Sequence, residues 1–158
     1  MIEIEDVTNK YSDAVAQLVY ESMMCPFTSS RIYDDLTFEE VRDEILVDNP
    51  ISVIKKDGVI VGVCNPNPLH KDMYNRLELD SNDKYVRLGI LYIAKEFRGK
   101  GYAKETLKKF IEMNADKKVI YVTHQTNEVS NAVASSVMPL VKDYLNFFNW
   151  KRYNIYIK

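Results

Sequence analysis

Apolar and polar residues alternate with two different periods along the chain, which predicts both strands and helices. The first seven residues alternate as in a short amphipathic strand. Residues 12–24 change to helical spacing, with Ser12 or Asp13 as the N-cap and Pro26 as the stop. A second helix is expected after Thr37, where Thr-Phe-Glu-Glu has the form of a capping box.

The middle of the chain predicts a hairpin and then a long loop. The β-branched runs 51–54 and 59–63 flank an Asp-Gly pair, which is a strong short-range hairpin signal. The polar segment 65–84 begins Asn-Pro-Asn-Pro and is expected to be an irregular loop. Within it, Leu77 and Leu79 could add a short strand.

The second half predicts a central strand followed by a helix. Residues 86–93 are largely apolar, a helix-period segment starts near Gly101, and residues 119–122 form the next strand. This order implies a parallel strand pair with a right-handed crossover. Residues 127–148 have a mainly helical pattern that is interrupted at Pro139, and residues 153–157 alternate as a single final strand.

Composition narrows the class of protein. With 158 residues, of which 46% are hydrophobic, we expect one domain over 1–158. The net charge of -2 gives no reason to expect nucleic-acid binding, and no apolar run approaches a membrane span. Cys25 and Cys64 lack paired spacing, and His70 and His124 lack metal-ligand spacing. We therefore expect a cytoplasmic protein without a metal, nucleic-acid or membrane partner.

A glycine-containing turn, Arg-Gly-Lys-Gly-Tyr-Ala at 98–103, separates the central strand from the following helix. Gly99 and Gly101 have no Cβ, so the chain can turn tightly and approach an anion closely. The amides of this turn lie where unpaired N–H groups and the positive end of the helix dipole coincide. Arg98 and Lys100 add positive charge. The turn is therefore a candidate phosphate site.

The wider segment 91–103, Leu-Tyr-Ile-Ala-Lys-Glu-Phe-Arg-Gly-Lys-Gly-Tyr-Ala, closely resembles the pyrophosphate-binding signature of the GNAT acyltransferase family. The order of predicted elements is also similar to that family. The resemblance implies an α/β (α+β) fold with a mixed, centrally splayed β-sheet flanked by helices. It also implies an acetyl-CoA-dependent N-acyltransferase that acetylates a primary amine, in a small molecule or a protein, by direct transfer in a ternary complex.

The same resemblance implies roles for the main chain. The Leu91 amide would polarise the thioester carbonyl and the Ile93 backbone would pair with pantetheine, although both residues also suit core packing. Asn127 would bind the pantetheine arm, and a helix N-cap is an equally good interpretation of its residue type. The pyrophosphate would be bound by Arg98, Gly99, Lys100, Gly101, Tyr102 and Ala103.

The chain departs from the family at the acid and base positions. Ala134 replaces a tyrosine that protonates the thiolate, and Arg87 replaces a glutamate base. Tyr144 is a candidate displaced acid, the alternatives being protonation by solvent or simple packing. His124 has a suitable ordinary pKa for a base, the alternative being a surface histidine. Further candidate bases are Glu78 and Asp80.

The amine substrate is left open by the sequence. An acidic stretch could favour a cationic amine or be an ordinary solvated helix face; besides Arg31 and Arg42 it contains Asp34, Asp35, Glu39, Glu40, Asp43, Glu44 and Asp48. The departures at Ala134 and Arg87 favour an alternative function, a catalytically weakened acyl-CoA-binding regulatory or interaction module. A lone final strand favours a homodimer that completes the sheet by strand exchange.

Overall fold

The computed structural model describes residues 1–25, 36–147 and 150–158. Its strands are β1 (Ile2–Asp6), β2 (Ser52–Lys56), β3 (Val59–Pro68), β4 (Tyr85–Ile93), β5 (Lys118–His124), β6 (Leu140–Asn146) and β7 (Lys151–Ile157). They form a seven-stranded sheet in the order β1-β2-β3-β4-β5-β7-β6. Neighbours are antiparallel except for β4 and β5, which are parallel. The expected mixed sheet with a parallel central pair is confirmed.

In the described part of the chain, five helices flank the sheet: α1 (Asp13–Met23), α2 (Phe38–Glu40), α3 (Lys71–Arg76), α4 (Tyr102–Met113) and α5 (Glu128–Ser135). A π-helical turn (Val41–Ile45) continues α2, and a short 3₁₀ turn (Lys95–Phe97) follows β4. Within the described ranges, no helix combines the length and apolar character needed to cross a membrane. The expected helix stop, Pro26, lies outside the described residues.

Helices cover both faces of the sheet. One core packs α4 and α5 on Val86, Leu88 and Tyr121. A second packs α1 and the turn after α2 against Val53 and Val63, and a third places α3 against Tyr85, Ile120 and Ile155. Because side chains alternate along a strand, the second and third cores share the face opposite the first.

The local sequence signals behave as expected. The Ser12 side chain caps α1 by accepting the Val15 N–H at 3.4 Å, and Thr37 and Glu40 form both hydrogen bonds of a capping box. Asp57 and Gly58 both have positive φ, 52° and 79°, as a type I′ hairpin turn requires. The helix starts and the β2–β3 hairpin predicted from these residues are confirmed.

A β-bulge interrupts β4 at its centre. Cys64 lies opposite Leu91, whereas Pro66 lies opposite Leu88, so two steps on β3 match three steps on β4. The extra residue falls at positions 89–90. Parallel pairing of β4 with β5 stops at Leu88, although both strands continue. The sheet is therefore splayed open beyond the bulge.

The irregular loop expected at 65–84 is confirmed over residues 77–84 and wrong before them. β3 continues through Pro68, and α3 follows it; Leu77 is buried against the sheet at the end of α3 rather than in a strand. The prolines are tolerated because β2 pairs with β3 only as far as Ser52 opposite Cys64. Beyond that point β3 has an edge on which a missing N–H breaks no ladder hydrogen bond.

The helix expected over 127–148 is also wrong beyond α5. Residues 140–146 form β6, which pairs antiparallel with β7. Pairing with β7 overrides the helical spacing of the apolar residues, and Tyr144 stacks directly on its cross-strand partner Tyr153. The chain thus supplies its own terminal hairpin, which removes the reason for completing the sheet by strand exchange.

Candidate functional site

A cleft of about 850 Å³ lies where β4 and β5 separate. Its lining includes Leu91 and Tyr121, which pack toward α4 and α5. It also includes Ile90 and Tyr144, which lie on the opposite face of the sheet and pack toward α1 and α3, respectively. The cleft therefore passes through the sheet, and molecules on opposite faces can meet at the bulge.

The glycine turn forms one wall of the cleft. Gly99 and Gly101 have φ of 76° and 81°, the left-handed region that favours glycine. A Cβ on either would meet no atom within 4 Å, so the space beside them is open. Gly101 is the N-cap of α4, and Tyr102 and Ala103 follow it in the first turn and also line the cleft. Bare N–H groups thus face a space large enough for an anion.

The basic residues of the turn are held differently. Arg98 lines the cleft; its Nε donates to the Ile93 carbonyl at 2.9 Å, and its guanidinium lies 5.1 Å from the centre of the Tyr92 ring. Lys100 extends over the Phe97 ring at 5.4 Å and does not line the cleft. Arg98 is therefore the more firmly positioned positive charge.

The main chain of β4 presents polar groups to the open side of the sheet. Ala94 N–H donates to the Val61 carbonyl of β3 at 2.9 Å. Because polar groups alternate in direction along a strand, those of Leu91 and Ile93 point away from β3, toward the gap before β5. The Ile93 carbonyl already accepts from Arg98, which leaves the Leu91 and Ile93 N–H groups as the donors directed into the gap.

Asn127 caps α5, since its side-chain oxygen accepts the Ser130 N–H at 3.1 Å. The residue also lines the cleft. The cap and the cofactor contact are therefore compatible, and a contact with a ligand would come from the side-chain nitrogen.

Asn131 fixes the loop that carries these residues, and sequence reasoning missed it. Its Oδ1 accepts from Thr123 Oγ1 at 2.5 Å, Asn154 Nδ2 at 2.9 Å and the Tyr156 hydroxyl at 2.9 Å. Its Nδ2 donates to three main-chain carbonyls, those of His124, Gln125 and Asn127, at 3.0, 3.2 and 2.8 Å. No signal in the sequence identifies it, because the side chains that donate to it lie on β5 and β7.

His124 ends β5 and lines the cleft. Its Nδ1 accepts the Thr126 N–H at 3.1 Å, which places the proton of the neutral ring on Nε2. The ring meets Tyr153 edge-on at 5.4 Å. Burial, and secondarily the Lys151 ammonium, lower the pKa of His124. At neutral pH the ring is therefore uncharged, and its Nε2 is a hydrogen-bond donor in this orientation.

Tyr144 lies on β6, not on a helix, and lines the cleft with its ring 5.6 Å from that of Tyr153. Burial raises the pKa of Tyr144, partly opposed by Arg87, so the phenol is protonated at neutral pH. Tyr153 is a second cleft residue that the sequence did not identify. Ala134 is fully buried in the core under α4 and α5 and supplies no polar group.

The acidic stretch does not reach the cleft in the described part of the chain. Its described acids are exposed; Glu40 completes the capping box and Asp43 pairs with Arg42 at 2.6 Å. Two other candidate bases, Glu78 and Asp80, do not line the cleft. Outside the described residues lie Arg31, Asp34 and Asp35.

The cleft has a positive lining. Arg87, Arg98 and Lys104 contribute to it, and no Asp or Glu does so among the residues that the structure describes. Arg87 is partly buried, and its Nε is fully buried without a hydrogen-bond partner. Burial lowers the pKa of this guanidinium. A search of the described ranges for groups of His, Cys, Asp and Glu that could hold a metal ion finds none.

Comparisons with known proteins agree with this geometry. The model of the Acetyltransferase (GNAT) family matches residues 16–136, more than half of the 158-residue chain. A comparison with curated protein sequences finds no significant match.

Solved structures share the fold at low identity. The N-acetyltransferase from Staphylococcus aureus Mu50 is 15% identical with a TM-score of 0.64, covering 100% of this chain and 98% of its own. The protein yncA from Salmonella typhimurium, solved with its cofactor acetyl-CoA, is 14% identical with a TM-score of 0.64, covering 100% and 93%. A ribosomal L7/L12 α-N-protein acetyltransferase in complex with coenzyme A is 18% identical with a TM-score of 0.71, covering 99% and 93%.

Proposed function

The chain belongs to the acetyltransferase (GNAT) family, and on that premise we propose that it transfers an acetyl group from acetyl-CoA to a primary amine by direct transfer in a ternary complex. The observation that carries the proposal is the bulge in β4, which opens the sheet next to the glycine turn. Solved structures of this fold hold acetyl-CoA or coenzyme A. When bound, acetyl-CoA supplies the acetyl group as a reactive thioester.

The residues of the glycine turn fit the anionic end of this cosubstrate. The N–H groups that begin α4 face open space beside Gly99 and Gly101, so they can bind the pyrophosphate without a Cβ in the way. Arg98 and Lys104 place positive charge along the same wall. Asn127 and the Ile93 N–H are positioned to bind the pantetheine arm.

The Leu91 N–H is proposed to stabilise the negative charge that develops on the thioester oxygen. This N–H is directed into the gap between β4 and β5, where parallel pairing has stopped at Leu88, so it makes no hydrogen bond to β5. One such donor contributes about 3 kcal/mol of transition-state stabilisation where it has been removed from the oxyanion hole of an acyl-transfer enzyme. Side-chain substitutions at position 91 leave the donor in place, so they are poor tests of this role.

Tyr144 is proposed to protonate the leaving thiolate. Its raised pKa keeps the phenol protonated at the pH at which the reaction would run. Tyr153 packs against it and holds the ring in position.

Deprotonation of the amine is proposed to depend on the charge of the cleft. Positive side chains and partial burial both disfavour an ammonium ion, so they lower the pKa of the bound amine and raise its neutral, nucleophilic fraction. His124 carries its proton on Nε2 in this orientation and would donate to an acceptor atom of the substrate other than the reacting nitrogen, whose lone pair must stay available for attack. It could accept a proton only after its ring turns over and gives up the Thr126 contact.

The alternative is a regulatory module that binds acyl-CoA without turnover. It is favoured by the lack of carboxylates among the described cleft residues, since these are common bases. The two functions differ in one observable, the release of free thiol that depends on an added amine.

Two measurements test the proposal. Calorimetry should show saturable binding of acetyl-CoA, and a thiol-release assay over amines should give intersecting initial-velocity lines when both substrates are varied. Binding without thiol release for any amine would favour the regulatory module. Parallel lines together with an acetylated enzyme would refute direct transfer and indicate a covalent intermediate, for which Cys25 in the cleft wall is the first residue to replace.

A further inference from the structure

Arg87 is a positive charge that the described structure does not neutralise. Its Nε is buried and has no hydrogen-bond partner. Among the described residues, the groups whose charge affects the pKa of Arg87 are the Tyr144 and Tyr153 phenols, and no carboxylate is among them. A buried guanidinium without a counter-ion is costly, and replacing it with an apolar residue is often neutral or stabilising. Folding alone therefore gives no reason for an arginine here.

The position of Arg87 separates it from the proposed cofactor wall. Arg87 lies opposite Ile120 in the β4–β5 register, and Ile120 belongs to the core under α3. Paired residues on neighbouring strands point to the same face. Arg87 is thus on the α3 face, whereas the glycine turn leads into α4 on the other face.

The surroundings of Arg87 add to its positive potential. Arg76 acts electrostatically on Tyr144, and Lys151 acts on His124. The lone pair of His124 Nδ1 is used by Thr126, so the proton of its neutral ring is on Nε2. This end of the cleft therefore offers donors and positive charge.

We propose that Arg87 binds an anionic group of the amine substrate, so that the substrate class is a small primary amine that also carries a carboxylate or a phosphate. A planar guanidinium can bind either group with two parallel hydrogen bonds. Leu91 is four steps along the strand from Arg87, at most about 13 Å. Both residues line the cleft, so this separation suits an amine and an anion a few bonds apart. The inference rests on the proposed acetyl transfer and deepens it.

Matched substrates test the charge requirement directly. Thiol release is measured with α-amino acids against their carboxamides, and with aminoalkyl phosphates against the corresponding amino alcohols. Each pair keeps the amine and removes the anion. We expect kcat/KM to be at least about tenfold higher for the anionic member of at least one pair, as for a charge-assisted hydrogen bond. The pair that shows the difference distinguishes a carboxylate from a phosphate.

Variants test whether Arg87 is the group responsible. Arg87→Met should lower kcat/KM for anionic substrates, mainly through KM, by about tenfold to a hundredfold more than it lowers kcat/KM for the neutral analogues, which lose only the effect of the Arg87 charge on the amine pKa. Arg87→Lys should recover part of the loss. Arg152→Met is the matched control, since Arg152 is an exposed arginine on β7 that pairs with Asp143 at 3.0 Å and lies outside the cleft. The melting temperature of each variant and its calorimetric affinity for acetyl-CoA should match the wild type.

A second readout keeps the inference separate from turnover. Calorimetry with the same amino acids and aminoalkyl phosphates, in the presence of coenzyme A, should show binding to the wild type that Arg87→Met weakens. Turnover with equal preference for charged and neutral amines would overturn the anion site and leave the proposed function standing. Arg87-dependent binding without turnover would support the anion site and refute acetyl transfer. Neither turnover nor Arg87-dependent binding would overturn both.

Discussion

Asn131 is expected to make a large contribution to stability through the hydrogen bonds of its side chain. Its two polar atoms make six contacts: three donors reach Oδ1, and Nδ2 reaches three carbonyls. An amide has two N–H hydrogens and two lone pairs, so the six contacts amount to about four full hydrogen bonds. At about 1 kcal/mol each, Asn131→Ala should lower the free energy of unfolding by about 4 kcal/mol.

A matched asparagine provides the control. Asn114, at the end of α4, donates one side-chain hydrogen bond to the Phe110 carbonyl at 2.9 Å. Asn114→Ala should therefore cost about 1 kcal/mol. Urea unfolding followed by far-UV circular dichroism measures both variants. A loss below 1 kcal/mol for Asn131→Ala would refute the hydrogen-bond accounting.

Asn131→Asp keeps the size of the side chain and replaces its donor nitrogen with an acceptor oxygen, so it tests the hydrogen-bonding role of Asn131 separately from its packing. The substitution keeps an oxygen for Thr123, Asn154 and Tyr156, but it turns a second oxygen toward three carbonyls. The introduced carboxyl should have a raised pKa in the folded protein, because its charged form meets acceptors on that side. The unfolded carboxyl ionises near pH 4, so the stability of this variant relative to wild type should fall as the pH rises above about 4. A difference that does not change with pH would contradict the assigned orientation of the Asn131 amide.

Three further outcomes are expected. Gly101→Ala adds a Cβ at a φ of 81°, so it should cost about 1–2 kcal/mol of stability and weaken acetyl-CoA binding. Gly58 is the control, since it has a φ of 79° and equally open surroundings but lies outside the cleft. Gly58→Ala should cost the same stability and leave the calorimetric affinity for acetyl-CoA unchanged. Tyr144→Phe should keep the melting temperature and lose about a hundredfold in kcat, whereas Tyr153→Phe should lose much less; unchanged kcat in Tyr144→Phe would exclude its phenol as the acid. Burial, and secondarily Lys151, lower the pKa of His124, so as the pH falls the unfolded chain takes up a proton at about pH 6.5, before the folded protein does. The free energy of unfolding should therefore decrease below about pH 6.5. Urea unfolding at pH 7 and pH 5 should show a smaller decrease for His124→Gln than for the wild type.

Short-range signals account for the part of the fold that could be predicted. The Ser12 cap, the Thr37 capping box and the Asp57-Gly58 turn satisfy backbone groups with neighbours in sequence, so their residue types suffice. Gly99 and Gly101 belong to the same class, since the left-handed backbone is a local requirement. For this reason the start of α4 and the wall of the cleft follow from the sequence.

Long-range pairing accounts for the errors. Pro66 and Pro68 indicate a loop when read alone, and they lie in a strand because β2 ends before them and leaves an edge free. Tyr144 reads as helical by spacing and is held in β6 by Tyr153 on the next strand. Asn131 shows its importance only when strands β5 and β7 bring Thr123, Asn154 and Tyr156 around it. Such partners are distant in sequence, and a single sequence does not reveal them.

The passage of the cleft through the sheet has a consequence for how such a protein can diversify. Leu91 and the glycine turn are supported from the side of α4 and α5, whereas Arg87 and Tyr144 are supported from the side of α3. Substitutions in one layer therefore need not disturb the packing of the other. In evolution, substitutions in the α3 layer could therefore change which acceptor is bound. The residues that bind the acetyl donor, on the other side of the sheet, would be selected independently.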